Sequence, residues 1–342
     1  MRCAALAVVA GLVACRGAAP IPRVVKVGLV GSFEGLYRSY GYETLYATKV
    51  ALAEWNERGG VGGHPVELVA LDDSGNPEQA RRQPAELAAD PDILGAVGHT
   101  LTHTTEAALG EYARVGLPLV SPTAWTGIPR AGWVFFVGTS YLHEALAAAQ
   151  ATGATLGARL AVIGGGEEWL TLSAWWAMLL TPGEAAPADA QAIVLAGPPD
   201  RAAEWAQAYA GAGIPLVGTS DLAGDVFPAL AGDAAEGTWI ARVAVRAEAA
   251  EWERFRQRYA ALAGAEPGPR AASAYDAANV LLAAMDRAAR SGDLTRAGVA
   301  RALGNTNWRG LTGPIAFQAD GTRAEVDVEV VRLSPLERGN RE

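Results

Sequence analysis

The chain has 342 residues, half of them apolar, which is enough for two ordinary domains with buried cores. Its formal charge of -9 is scattered rather than gathered in runs, and this excludes a nucleic-acid binder, since phosphate backbones are met by basic patches. The two cysteines, Cys3 and Cys15, both stand at the N-terminus, which excludes a disulfide framework or a cysteine-ligated zinc in the body of the chain.

In chain order, MRCAALAVVAGLVAC comes first, with Arg2 ahead of an apolar core over residues 4–13. That core is about half of the roughly 20 residues a spanning helix needs, so residues 1–14 read as an export signal rather than an anchor helix. The closing LVAC, 12–15, resembles a bacterial lipobox, in which Cys15 takes the lipid and becomes the first residue after cleavage. Residues 15–23 then read as a lipidated tether, and two acyl chains hold a protein durably on a membrane.

From Val24 onward, short β-rich runs alternate with helical patterns. VVKVGLVG precedes a helix over 43–58, VELVALDD a helix over 77–89, ILGAVG a helix over 105–115, and LPLVS closes the series. A second series starts after WVFFVGTS: a helix over 142–156, RLAVIGGG, a helix over 168–180, AIVLAG, a helix over 200–210, IPLVGTS and GTWIARVAV. Helices over 248–263, 273–290 and 294–303 follow, and then PIAFQ and EVDVEVVRL, two strands meeting at a turn over 319–322. Strands separated by helices of this length predict βαβ units, hence an α/β fold of two doubly wound parallel sheets. Ligands of such sheets sit at the carboxyl ends of the strands, so the turns to inspect include 31–40, 99–105, 121–125, 164–169 and 218–221.

Catalytic patterns are missing from those turns. GGGEEW, 164–169, is the nearest approach to a phosphate loop, but its acidic pair would repel a pyrophosphate. GTSYL and GTSDL lack the later glycine of a nucleophile elbow. Asp72 and Asp73 are adjacent on a strand end and point to opposite sides. The stretch GHTLTHTTEA, 98–107, holds His99 and His103 four apart, as two metal ligands on one helical turn would be, but a third ligand is not in view. No metal and no cofactor is expected. The polar turn suits a small anion at the start of a helix instead.

Taken in order, NERGGVGGHPVELV, GHTLTHTTEA, LVSPTAW and GDAAEG give the stretch from Val24 to Leu333 a resemblance to the periplasmic branched-chain amino acid binding proteins, the solute receptors of ABC importers. The resemblance implies the type I periplasmic fold, two lobes joined by a three-segment hinge near 138–142, 242–248 and 324–328. Lobe 1 would be 24–139 plus 247–324, and lobe 2 would be 140–246 plus 325–342. It further implies that an amino acid is held by its α-carboxylate and α-ammonium. The hydroxyl after the third strand corresponds to Thr102 and the next loop to Thr123 through Trp125, with Thr104 or Thr105 as the helix cap. Tyr40 and Trp169 fall where the family places aromatic groups around the ligand, one from each lobe. Ser220 matches the acidic partner of the ammonium, and the neighbouring Asp221, shifted by one residue, supplies the charge.

Two departures stand out. Trp125 replaces a threonine of the family's loop, offers no hydroxyl, and would fill part of the pocket. The segment between RLAVIGGG and AIVLAG is short, so one βα unit of the second lobe reads as deleted. The expected protein is a monomeric, lipid-anchored receptor of the cell envelope that closes on an amino acid or analogue and delivers it to an ABC transporter permease. A ligand sensor feeding a regulator and an exported α/β enzyme are the competing readings, and an enzyme would need a nucleophile, a base and an orienting group in one cleft.

Overall fold

The VKVGLVG run becomes β1 (Val25–Gly31), nearly all of it buried, because helices cover both faces of the sheet. A computed structural model describes residues 23–127, 132–164 and 176–334. In it β1 lies between β2 (Val66–Asp72) and β3 (Ile93–Gly98), and β4 (Leu119–Ser121) and β5 (Val134–Phe136) extend the parallel sheet in the order β2-β1-β3-β4-β5. One face packs against α1 (Arg38–Glu57), α8 (Ala271–Arg290) and α9 (Arg296–Gly304). The other packs against α2 (Pro77–Ala88) and α3 (Thr102–Val115). The start of α2 shows why its boundary was legible: Asn76 accepts the N–H groups of Glu78 and Gln79 at 2.8 and 3.2 Å, and Pro77 takes a position where no donor is needed.

The second sheet has six strands in the order β13-β10-β9-β8-β6-β7. These are β6 (Arg159–Ile163), β7 (Trp176–Leu180), β8 (Ala190–Leu195), β9 (Leu216–Gly218), β10 (Trp239–Val243) and β13 (Val328–Arg332). Only β13 runs antiparallel to its neighbour. The alanine-rich face of α4 (Tyr141–Ala151) covers one side, and α5 (Pro199–Tyr209) with α6 (Val226–Ala231) covers the other. The architecture is two doubly wound lobes.

The expected helix over 168–180 is corrected over 176–180, its remainder lying outside the described residues, and the βα unit read as deleted keeps its strand. Residues 176–180 are an edge strand paired in parallel with β6. What the lobe lacks is a helix between β7 and β8, where residues 181–189 carry turns. That crossing is held to α5 by the Tyr209 hydroxyl, which donates to Glu184 O at 2.6 Å. A short apolar run such as WAMLL has no periodicity of its own to distinguish strand from helix. The second correction concerns PIAFQ and EVDVEVVRL. β12 (Gly313–Ile315) pairs with β11 (Trp308–Gly310), and β13 leaves for the second sheet, so the Phe317–Arg323 bridge ties the first run to the turn and not to the second run.

The chain passes between the lobes three times: between β5 and α4, between β10 and α7 (Ala249–Ala263), and between β12 and β13. Arg323 ties two of these passages together, donating to Val137 O at 3.0 Å and to Thr312 O at 2.8 Å. Beside it, Asp276 on α8 accepts the N–H groups of Leu311 and Thr312, both at 2.8 Å, and the Thr312 hydroxyl at 2.6 Å. Burial pushes the Asp276 carboxyl up to about 6, against those bonds and the charge of Arg323.

Candidate functional site

The strand ends of both sheets face each other across a cleft, and α3 points its N-terminus into it. This helix starts at Thr102, three residues earlier than its pattern suggested, and its N-cap is Leu101, which has no capping side chain. Thr104 and Thr105 are therefore not the cap. They lie inside the first turn, with both hydroxyls donating back to Leu101 O at 3.1 and 2.8 Å. An uncapped first turn leaves N–H groups for an anion, and one is present: Asp221 Oδ1 accepts the Thr102 N–H at 3.3 Å from the opposite lobe. The Thr102 hydroxyl oxygen is buried without a partner.

The two histidines of this turn serve different neighbours. His99 is fully buried, with Nδ1 at 2.6 Å from Asp73 Oδ2, and Asp73 also accepts the Ser32 hydroxyl at 2.8 Å. Burial alone would raise the Asp73 carboxyl, but His99, the Gly75 N–H and Ser32 together hold it below its usual range. His103 donates from Nε2 to Gly75 O at 3.0 Å. Among the described residues no group of three or more His, Cys, Asp or Glu side chains is placed to hold a metal.

From the second lobe, β9 ends in a short 3-10 turn over Ser220–Leu222, which carries Asp221 into the cleft. Burial pushes the Asp221 carboxyl above its usual range, against the charge of Arg270 and the bond from Thr102. Glu144 lies beneath this turn, on the buried face of α4, and accepts the Ser220 N–H at 2.8 Å. Its own burial raises its carboxyl to about 8. Ser220 thus meets the site through its backbone.

Arg270 straps the lobes together. Its guanidinium lies 3.6 Å from the centre of the Tyr40 ring and donates to the carbonyls of Ser220 and Asp221, each at 2.8 Å, and to that of Ala223. Glu43 fixes the start of α8 behind it, accepting the N–H groups of Arg270 and Ala271 at 2.6 and 2.8 Å. Around this strap Tyr37 donates to Asp200 Oδ1 at 2.6 Å and Ser39 to Asp225 Oδ1 at 2.8 Å, both across the cleft. Tyr37, Tyr40, Leu101 and Val226 form an apolar cluster between the lobes. The lobes are closed on each other.

Between the lobes the described residues line two spaces. The larger, about 210 Å³, is lined from one side by Thr102, His103, Glu106 and Thr126 and from the other by Tyr141, Pro198, Trp205 and Asp221. The Trp205 indole lies across the ends of β6 and β8 because Gly164 and Gly197 stand there. A Cβ at either would come within 2.1 or 2.7 Å of the ring. The smaller space, about 30 Å³, holds Thr44, Thr123, Ser220 and Arg270 on its walls, room for a water or two.

The residues singled out in the sequence are therefore dispersed. Thr102 and Asp221 line the larger cavity, whereas Thr123 lines the smaller one and is bonded to Thr105 and Ser121 at 3.1 and 2.9 Å. Tyr40 is buried under Arg270, not open to the cavity. Trp125 lines neither space: its side chain packs against the core between α3 and the first sheet, while its backbone bonds to Thr139 and Tyr141 at the first passage. The expectation that it fills part of the pocket is corrected by that packing. Trp169 and Cys15 lie outside the described residues.

Sequence reasoning missed Arg270, Glu43 and Glu144. Only Glu144 left a trace, as an acid on the stripe Tyr141, Ala145, Ala148 that α4 buries.

Comparison with known proteins adds four findings. A family model described as periplasmic binding protein matches residues 24–174 and 183–340. The Leu/Ile/Val-binding protein of Escherichia coli K12 is 29% identical over 100 residues, which are 29% of this chain and 27% of that protein, so the match spans about a quarter of the curated relative. Among solved structures, the branched-chain amino acid transporter substrate binding protein LivJ of Streptococcus pneumoniae, in complex with isoleucine, superposes with a TM-score of 0.71 at 19% identity, covering 91% of this chain and 100% of its own. An ABC transporter solute binding protein of R. palustris in complex with benzoate gives a TM-score of 0.70 at 20% identity, covering 91% of this chain and 94% of its own. At those identities the superpositions establish the fold.

Proposed function

This chain belongs to the periplasmic binding protein family, and from that premise we propose that it is an extracytoplasmic receptor that captures an amino acid or amino-acid-like molecule between its lobes and hands it to an ABC transporter permease. The observation that carries the reading is the cavity of about 210 Å³ lined by both lobes, with the uncapped start of α3 on one wall and Asp221 on the other. It is smaller than the roughly 300 Å³ at which drug-sized sites begin, and so suits a small solute. Its relatives and fold neighbours are solute-binding proteins, not enzymes.

The moving bodies in this reading are residues 24–139 plus 247–324 and residues 140–246 plus 325–342. The buried bonds of Asp276 and Arg323 sit at the passages between them and would keep the pivot intact while the cleft opens. Cys15 would carry the lipid, tethering a monomer to the outer face of a membrane. No helix among the described residues is long and apolar enough to cross one.

Thermal unfolding of the chain from residue 21 onward, against amino acids, amides, small peptides and purines, tests the proposal. A ligand at 100 times its dissociation constant stabilises the fold by about 2.7 kcal/mol, enough for a rise of about 2–4 °C in the melting point. No shift with any member of the panel would overturn the receptor reading.

A further inference from the structure

The subsite that would hold a ligand's carboxylate is filled from within the protein. Thr102 N–H, at the start of α3, donates to Asp221 Oδ1, so the helix terminus already has its anion, delivered by the opposite lobe. The first-lobe wall of the larger cavity offers acceptors, whereas Trp205 on the other wall carries a buried Nε1–H donor without a partner. His103 gives its Nε2 hydrogen to Gly75 O, which leaves Nδ1 as a lone-pair acceptor, buried and without a partner. The Thr102 side chain is 4% exposed and its hydroxyl oxygen is equally unpartnered. Glu106 and Asp221 are the charged residues among the described lining, and neither Lys nor Arg joins them there.

Arg270, the cation behind Asp221, cannot serve an anionic ligand. Its guanidinium is spent on the Tyr40 ring and three backbone carbonyls, and it borders the smaller space. A ligand carboxylate in the cavity would be the third, beside Glu106 and Asp221, with no compensating charge from the described walls, an arrangement that burial makes costly.

Resting on the receptor reading above, we propose that this cleft selects a small cationic amine and does not require a carboxylate on it. The ammonium donates to Asp221, His103 Nδ1 and Thr102 Oγ1, and the apolar remainder lies against Pro198 and the Trp205 indole.

Titration calorimetry with matched probes separates this inference from the reading it rests on. For alanine, leucine and phenylalanine, the probes are the amino acid, its amide, the amine left by removing the carboxylate, and the carboxylic acid left by removing the amine. The inference expects the amine and amide of at least one set to bind as tightly as the amino acid or more so, and the acid not to bind. Asp221→Asn should then weaken the amine at least about tenfold, as removal of a buried ionic partner does. An amino acid that binds about tenfold more tightly than its own amide would overturn the inference and leave the receptor reading standing, because its carboxylate must then displace Asp221 from α3. If Asp221→Asn gains affinity for amino acids while leaving the amine unchanged, Asp221 is a plug and not a ligand contact, which also overturns the inference. Silence from every probe would overturn both.

Discussion

Asp276 at the passages between the lobes and Asp221 in the cleft are both buried carboxylates, but one is complete and the other is not. Asp276 accepts three donors supplied by the Leu311–Thr312 segment of its own lobe and faces Arg323. Asp221 accepts a single N–H, at 3.3 Å, from the opposite lobe. A buried charge with all its bonds made holds geometry, whereas one that leaves bonding capacity unused invites a ligand. The pivot is finished without a solute and the cleft is not.

Asp276→Ala should break the first half of this contrast most severely. It strands two buried N–H groups and the charge of Arg323, so urea unfolding should show a loss of about 3–5 kcal/mol. A loss under about 1 kcal/mol would mean that the passages are held by something other than this cluster.

Thr102→Ala should do the reverse, sparing stability and weakening the ligand found in the thermal screen by roughly 1–3 kcal/mol, the range for a bond to a charged group. Unchanged affinity would move the recognition site away from α3.

Glu144→Gln should have the smallest effect and sharpen the contrast through pH. The Glu144 carboxyl is raised by burial from 4.5 to about 8 in the folded protein. Between those values the unfolded chain has lost the proton that the folded one keeps, so this group lowers stability as pH rises from about 4.5 and has its full unfavourable effect above about 8. The variant should match the parent near pH 5 and exceed it at pH 8 in denaturant midpoint. A parallel pH dependence in the two proteins would show that Glu144 does not titrate in this window. Asp73 has the opposite sign: held low by His99, it contributes stability that is lost as pH falls below the usual carboxylate range.

The contrast also shows which parts of the site were legible. Thr102 and Asp221 stood at strand ends where an open sheet binds ligands, and each lines the larger cavity. Thr123 stood at another such end and lines the smaller space. Trp125 stood in the same loop, but a ring of that size is drawn to the nearest apolar surface, and here that is the core beside α3. Arg270 had no local signal, since nothing in the loop before a long helix shows that it will reach a turn 49 positions earlier in the chain.

Local patterning determined the two doubly wound sheets, because strands covered on both faces must read as continuous apolar runs and the helices between them as amphipathic ones. It also carried the family likeness, which lives in turns short enough to be read as words. Only tertiary structure decided that WAMLL joins a sheet edge, that β13 leaves its neighbour for the second lobe, and that Asp221 meets a helix terminus 119 positions away. These outcomes depend on which surfaces meet when the chain folds, and a pairing between distant segments leaves no periodic trace in either one.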